Sequence, residues 1–141
     1  CRKHSCIDLV CDVWEVPTWV DLPVERIFTR NFLEHLSMTD GAHFIRMCWN
    51  MLEEDGQLVV QVPNMDWIID QYWRGEYDSP ETFLMWFFGG TGDEWWNVHL
   101  TMYNRELLFR RLLQGGFKGT DICMVDVEGG YQLEAIAEKS F

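Results

Sequence analysis

The sequence predicts an α/β protein whose mostly parallel sheet ends in an antiparallel hairpin, and three observations predict it. Short β-branched apolar runs alternate with helix-period stretches between residues 7 and 62. One amphipathic helix follows at 105–114. Two further apolar runs, 119–127 and 131–138, flank Glu128-Gly129-Gly130, a hairpin signal. Alternation early and a hairpin late describe a layered α/β domain with an antiparallel edge.

In chain order, Ile7 to Val13 reads as a strand ending beside an acid, Asp12. Pro17 and Pro23 make 14–25 a loop. Ile27 to Arg30 is a short strand, and Asn31 to Leu36 turns into a helix. Thr39 or Asp40 is placed to cap the next helix, whose apolar face carries Phe44, Met47, Cys48, Met51 and Leu52. Gly56 is expected to end that region, before a strand from Leu58 to Val62 that Pro63 stops. Residues 64–98 form an aromatic-rich insert within a single domain spanning 1–141. Two irregular helices, 66–73 and 80–88, and a loop at Gly89-Gly90-Thr91-Gly92 are expected there. Asn104 is placed to cap the helix at 105–114, and Gly115-Gly116 to close it.

Composition narrows the function. A chain of 141 residues can build a real core, and 48% hydrophobic content marks it as globular. A net charge of -12 excludes a phosphate-backbone ligand and an anionic membrane surface, because both are held by Lys and Arg. Small molecules and protein partners remain. Cys1, Cys6, Cys11, Cys48 and Cys123 are odd in number and lack zinc-knuckle spacing, so they imply a reducing, cytoplasmic setting. Cys11 and Cys48, among apolar neighbours, are expected to behave as small buried hydrophobes. Metal binding is not predicted.

An ordered set of short elements carries a family resemblance. Asp12 opens a DVxxxP segment, Leu33-Glu34-His35 reads LEH, and Glu54 to Pro63 reads EDGxLxxxVP. His99 and Tyr103 form HxxxY, and Leu112 to Phe117 reads LLxxGF. In this order, over roughly 7–138, they resemble the class I S-adenosylmethionine (SAM)-dependent methyltransferases. The resemblance implies a Rossmann-like sheet and SAM as cofactor. It also implies an N-terminal βαβ unit, with the glycine-rich GxGxG loop, that is missing from this chain: truncated, supplied by a partner, or lost in a degenerate member of the family. Position by position, Asp12 would lie near the adenine, and Arg30 and Asn31 would line the methionine end of SAM. Glu34 and His35 would shape the active-site floor, and His99 and Tyr103 would face the substrate.

Methyl transfer needs alignment of acceptor, methyl carbon and sulfur, and sometimes a base. Glu34, His35 and His99 suit that base, and are the expected catalytic residues. Each also has a plainer use: Glu34 and His35 at a helix start, His99 as an imidazole bonded to backbone. The tryptophans of the insert could wall a substrate pocket or pack in a core or interface. Three functions stay open: a methyltransferase acting on a small-molecule or protein acceptor, a catalytically inactive binding or assembly module of that fold, and an unrelated small-molecule binder. A bare edge on the strand at 27–31 predicts a homodimer or association with a partner chain.

Overall fold

The computed structural model describes residues 9–90 and 97–140. Parts of three expectations lie outside the described residues: Ile7 and Asp8 of the first strand, Thr91 and Gly92 of the glycine loop, and Trp95 and Trp96.

Among the described residues four strands form one sheet in the order β1-β2-β4-β3: β1 Val24–Arg30, β2 Leu52–Pro63, β3 Ile122–Val127 and β4 Gln132–Glu138. β1 and β2 run parallel, pairing Ile27 with Leu58 and Thr29 with Val60. β4 runs antiparallel to β2 and to β3. Among the described residues the sheet is therefore mixed rather than mostly parallel. The reason lies at the N-terminus, where residues 9–12 form no strand and Val13–Glu15 is a 3-10 turn. Asp12 caps that turn, its side chain accepting from the Trp14 N–H at 3.0 Å. β1 is left with one unpaired edge among the described residues.

Among the described residues five α-helices accompany the sheet: α1 Val16–Trp19, α2 Met38–Met51, α3 Met65–Trp73, α4 Pro80–Phe88 and α5 Arg105–Gly115. The cap of α2 is Ser37 rather than Thr39 or Asp40: its hydroxyl accepts from the Asp40 N–H at 3.1 Å. The β-region backbone of Ser37 suits that role. Asn104 caps α5 as its sequence position predicts, and Gly116 closes the helix at φ +118. The segment after α2 also differs from expectation: the helix ends at Met51 and Gly56 lies inside β2 rather than ending the helix region. Asp55, not Gly56, takes the positive φ, +62. Gly56 is instead needed for space, since a β-carbon there would sit 3.0 Å from the Glu53 carbonyl oxygen.

The core lies between one face of the sheet and the pair α2 and α5. Leu58, Val60 and Val62 alternate along β2 toward Phe44, Ile45 and Cys48 of α2 and Leu108 and Leu112 of α5. A β-carbon on Gly115 would lie 2.2 Å from Ile45 Cγ2, so glycine is what lets α5 approach α2. Cys48 is fully buried, and burial pushes its thiol up to about 12. Cys11 is only half-buried, against expectation. On the opposite face Phe28 stays 56% exposed, and Gln57 donates to Glu138.

Candidate active site at the carboxyl ends of the parallel strands

Where β1 ends, Asn31 takes φ +49, a left-handed conformation that asparagine tolerates better than most residues. The chain then turns sharply through the 3-10 segment Leu33–His35. Leu33 is fully buried in the core, which contributes roughly 1.5–3 kcal/mol and anchors the turn. The next residue, Glu34, is thereby carried to the inner wall of a cavity of about 250 Å³. Asn31, His35, Pro63, Trp86, His99 and Tyr131 line the same cavity.

A strap, residues 97–101, closes one side. The N–H groups of Leu100 and Thr101 donate to the Glu34 carbonyl oxygen at 2.8 and 3.1 Å, and the Thr101 hydroxyl donates to the Leu36 carbonyl at 3.0 Å. At its other end the His99 N–H donates to the Phe88 carbonyl at the end of α4. These bonds hold the two imidazoles together, with ring centres 5.1 Å apart, edge to face. Nδ1 of His35 lies 3.1 Å from the Val98 carbonyl oxygen, and Nδ1 of His99 lies 3.2 Å from that of Phe87. A carbonyl only accepts, so each Nδ1 carries a proton, and in the neutral ring the lone pair is on Nε2.

The electrostatics follow from burial. Glu34 is 1% exposed, and neither carboxyl oxygen has a hydrogen-bond partner. Desolvation pushes its carboxyl up to about 7, opposed only by the proximity of its own backbone N–H. His35 Nε2 lies 3.9 Å from Glu34 Oε1. Burial holds His99 below the ordinary histidine value, more than the Phe87 hydrogen bond raises it, and the nearby His35 lowers it further. His99 is therefore a neutral imidazole at pH 7.

An aromatic wall faces these groups. Tyr131 meets Trp86 at 4.8 Å and Trp67 at 5.8 Å between ring centres, both edge to face. Gly130, at φ +99, makes room for this, because a β-carbon there would sit 2.6 Å from the Trp67 ring. Burial first, and then the Glu34 carboxylate, raise the Tyr131 phenol.

Of the residues singled out in the sequence, Asn31, Glu34, His35 and His99 are brought together around one cavity. Arg30 is not at that wall; it pairs with Glu128. Asp12 caps its 3-10 turn and is not among the lining residues. Tyr103 does not face a substrate space: it is 1% exposed in the core, its hydroxyl lacks a partner, and burial pushes it up to about 12. Sequence reasoning missed Tyr131 and also Asn97, which lines the same cavity. The Gly129-Gly130 pair before Tyr131 read only as turn chemistry, although Gly130 also clears space for the Trp67 ring.

No protein-family model matches the sequence, and no curated protein matches it. Solved structures do match in shape. Human N-acetylserotonin methyltransferase, in complex with SAM, superposes with a TM-score of 0.64 at 11% identity, covering 99% of this chain and 37% of that one. An O-methyltransferase family protein from Burkholderia thailandensis gives 0.62 at 10% identity, over 94% of this chain and 35% of that one. A SAM-dependent methyltransferase from Archaeoglobus fulgidus gives 0.60 at 14% identity, over 93% and 66%. The chain thus spans about a third of the length of the first two. By the sheet order, the helices packed on it and these superpositions, the chain has the α/β fold of the SAM-dependent methyltransferases.

Proposed function

We propose that this chain forms the acceptor side of a SAM-dependent methyltransferase that methylates a hydroxyl group on a small molecule. The observation that carries the reading is the cavity at the carboxyl ends of β1 and β2, where Glu34, His35 and His99 meet. Open α/β sheets bind ligands at that end of their strands. Similarity to a methyltransferase in complex with SAM and to an O-methyltransferase family protein supports both the cofactor and the oxygen acceptor.

The residues present fit one end of SAM. Its sulfonium is cationic, and the cavity offers a buried carboxyl without partners and the rings of Trp86 and Tyr131. At about 250 Å³ the space falls below the ~300–1,000 Å³ of a typical ligand pocket, so it suits the methyl end and a small acceptor. The adenosine half needs surface outside this cavity, toward the edge of β1 that is unpaired among the described residues.

SAM supplies the methyl group as an electrophile. The protein's part is to place the acceptor oxygen and remove its proton. His99 is neutral at pH 7, and its Nε2 keeps a free lone pair, so it can take that proton. Glu34 beside the imidazoles stabilises the positive charge that results.

Isothermal titration with SAM and S-adenosylhomocysteine tests the reading. Micromolar binding, roughly -8 kcal/mol, is expected. Absence of heat up to about 1 mM would retire it for this chain.

A further inference from the structure

Glu34, His35 and His99 have a second use that proton transfer does not require. One oxygen of Glu34 and one ring nitrogen from each histidine all lie within 4.8 Å of one another. We propose that these three side chains form a binding site for one divalent first-row transition ion.

Four observations support it. First, the donor set is two imidazoles and one carboxylate, which suits zinc, cobalt, manganese or ferrous ions better than magnesium or calcium. Second, the Glu34 carboxyl is 1% exposed with both oxygens lacking partners. A buried carboxyl is costly unless a cation or hydrogen bonds compensate it. Third, both Nδ1 atoms are committed to backbone carbonyls, those of Val98 and Phe87. That is the outer arrangement found around metal-bound histidines, where one N–H donates to a carbonyl and the other nitrogen is left for the ion. Fourth, there is an entry path, since the His35 side chain is 20% exposed at the cavity wall.

Coordination needs the donors to close from separations of up to 4.8 Å. Bonds of about 2.1 Å to one ion put neighbouring donors about 3 to 3.5 Å apart. His35 Nε2 and Glu34 Oε1 already stand at 3.9 Å. Three protein donors leave positions on the ion for a substrate oxygen, and an oxygen so bound sheds its proton far more readily than in water. With an ion bound, the imidazoles would hold metal rather than accept protons; the ion would lower the pKa of a bound hydroxyl, whose proton would then pass to solvent water.

The proposal concerns ion binding alone and stands whether or not SAM binds. Its test is titration of the EDTA-treated and dialysed chain with Co2+, followed by visible absorption. One equivalent is expected, with d–d bands and no thiolate charge-transfer band. Zn2+ should displace it, and Mg2+ should not. Glu34→Gln keeps the side chain's shape and removes its charge, and His99→Ala removes a second ligand. Each should weaken binding by about 100-fold or more, while His43→Ala, on the exposed face of α2, should not. Circular dichroism confirms that each variant is folded. Wild-type Co2+ affinity and spectrum in both Glu34→Gln and His99→Ala would overturn the proposal. So would a spectrum in which all bound Co2+ shows thiolate bands.

Discussion

Replacing Glu34 by glutamine should stabilise the metal-free protein, and by an amount that grows with pH. The native carboxyl titrates near 7 because burial disfavours its charge, whereas the unfolded one titrates near 4.5. Below pH 4.5 both states hold the proton, and the wild type has its full stability. As the pH rises the unfolded chain loses its proton first, so stability falls, and it levels off only above about 7. At about 1.4 kcal/mol per pH unit, the full loss is about 3 kcal/mol, of which under about 1 kcal/mol has appeared by pH 5. With only 1% exposure, Glu34 has little solvent to screen that cost. Glutamine carries no charge at any pH. Urea denaturation of both proteins in EDTA, from pH 5 to pH 8.5, should therefore show the variant's advantage widening by about 2–3 kcal/mol. An advantage that stays flat over that range, or a variant that is less stable at pH 8.5, would refute the reasoning.

Gly89 ends α4 at φ +88, and a β-carbon there would lie 2.1 Å from the Asn97 carbonyl oxygen and 2.7 Å from the His99 ring. Gly89→Ala should displace His99 and weaken Co2+ binding at least about 10-fold, measured by the same absorption titration. Tyr103→Phe removes a buried hydroxyl without a partner, so urea denaturation should find it neutral or up to about 1 kcal/mol more stable. The unpaired edge of β1 and the 56% exposed Phe28 predict self-association, which sedimentation velocity should detect in the wild type and find reduced in Phe28→Lys.

The parts of the fold that were legible in the sequence are those set by local rules. Of Leu107, Leu108, Leu112 and Leu113, expected to face inward, Leu108 and Leu112 are buried and Leu113 is exposed, while the Asn104 cap and the Gly116 end are decided within a few residues. So is the β3–β4 hairpin, although β3 begins at Ile122 because Gly119–Asp121 coils into a 3-10 turn. Apolar content alone could not separate a strand from a loop ahead of Val13, since strand formation depends on a partner edge. The site was half legible. Glu34, His35 and His99 could be chosen for their chemistry, but their meeting depends on the 97–101 strap bonding to the 33–36 turn, a contact about 65 residues apart in sequence. Trp86 and Tyr131 come together through tertiary packing that no local pattern encodes. Arg30 is drawn away by Glu128, whose place beside it follows from the hairpin turn.

The measurement that tests the account most directly is a two-dimensional amide spectrum of the 15N-labelled chain titrated with S-adenosylhomocysteine. The account predicts shifts concentrated at Asn31, Glu34, His35, His99 and Tyr131, around one cavity at the ends of β1 and β2. A titration that leaves these five unmoved, whether silent or mapping to another face, would contradict it.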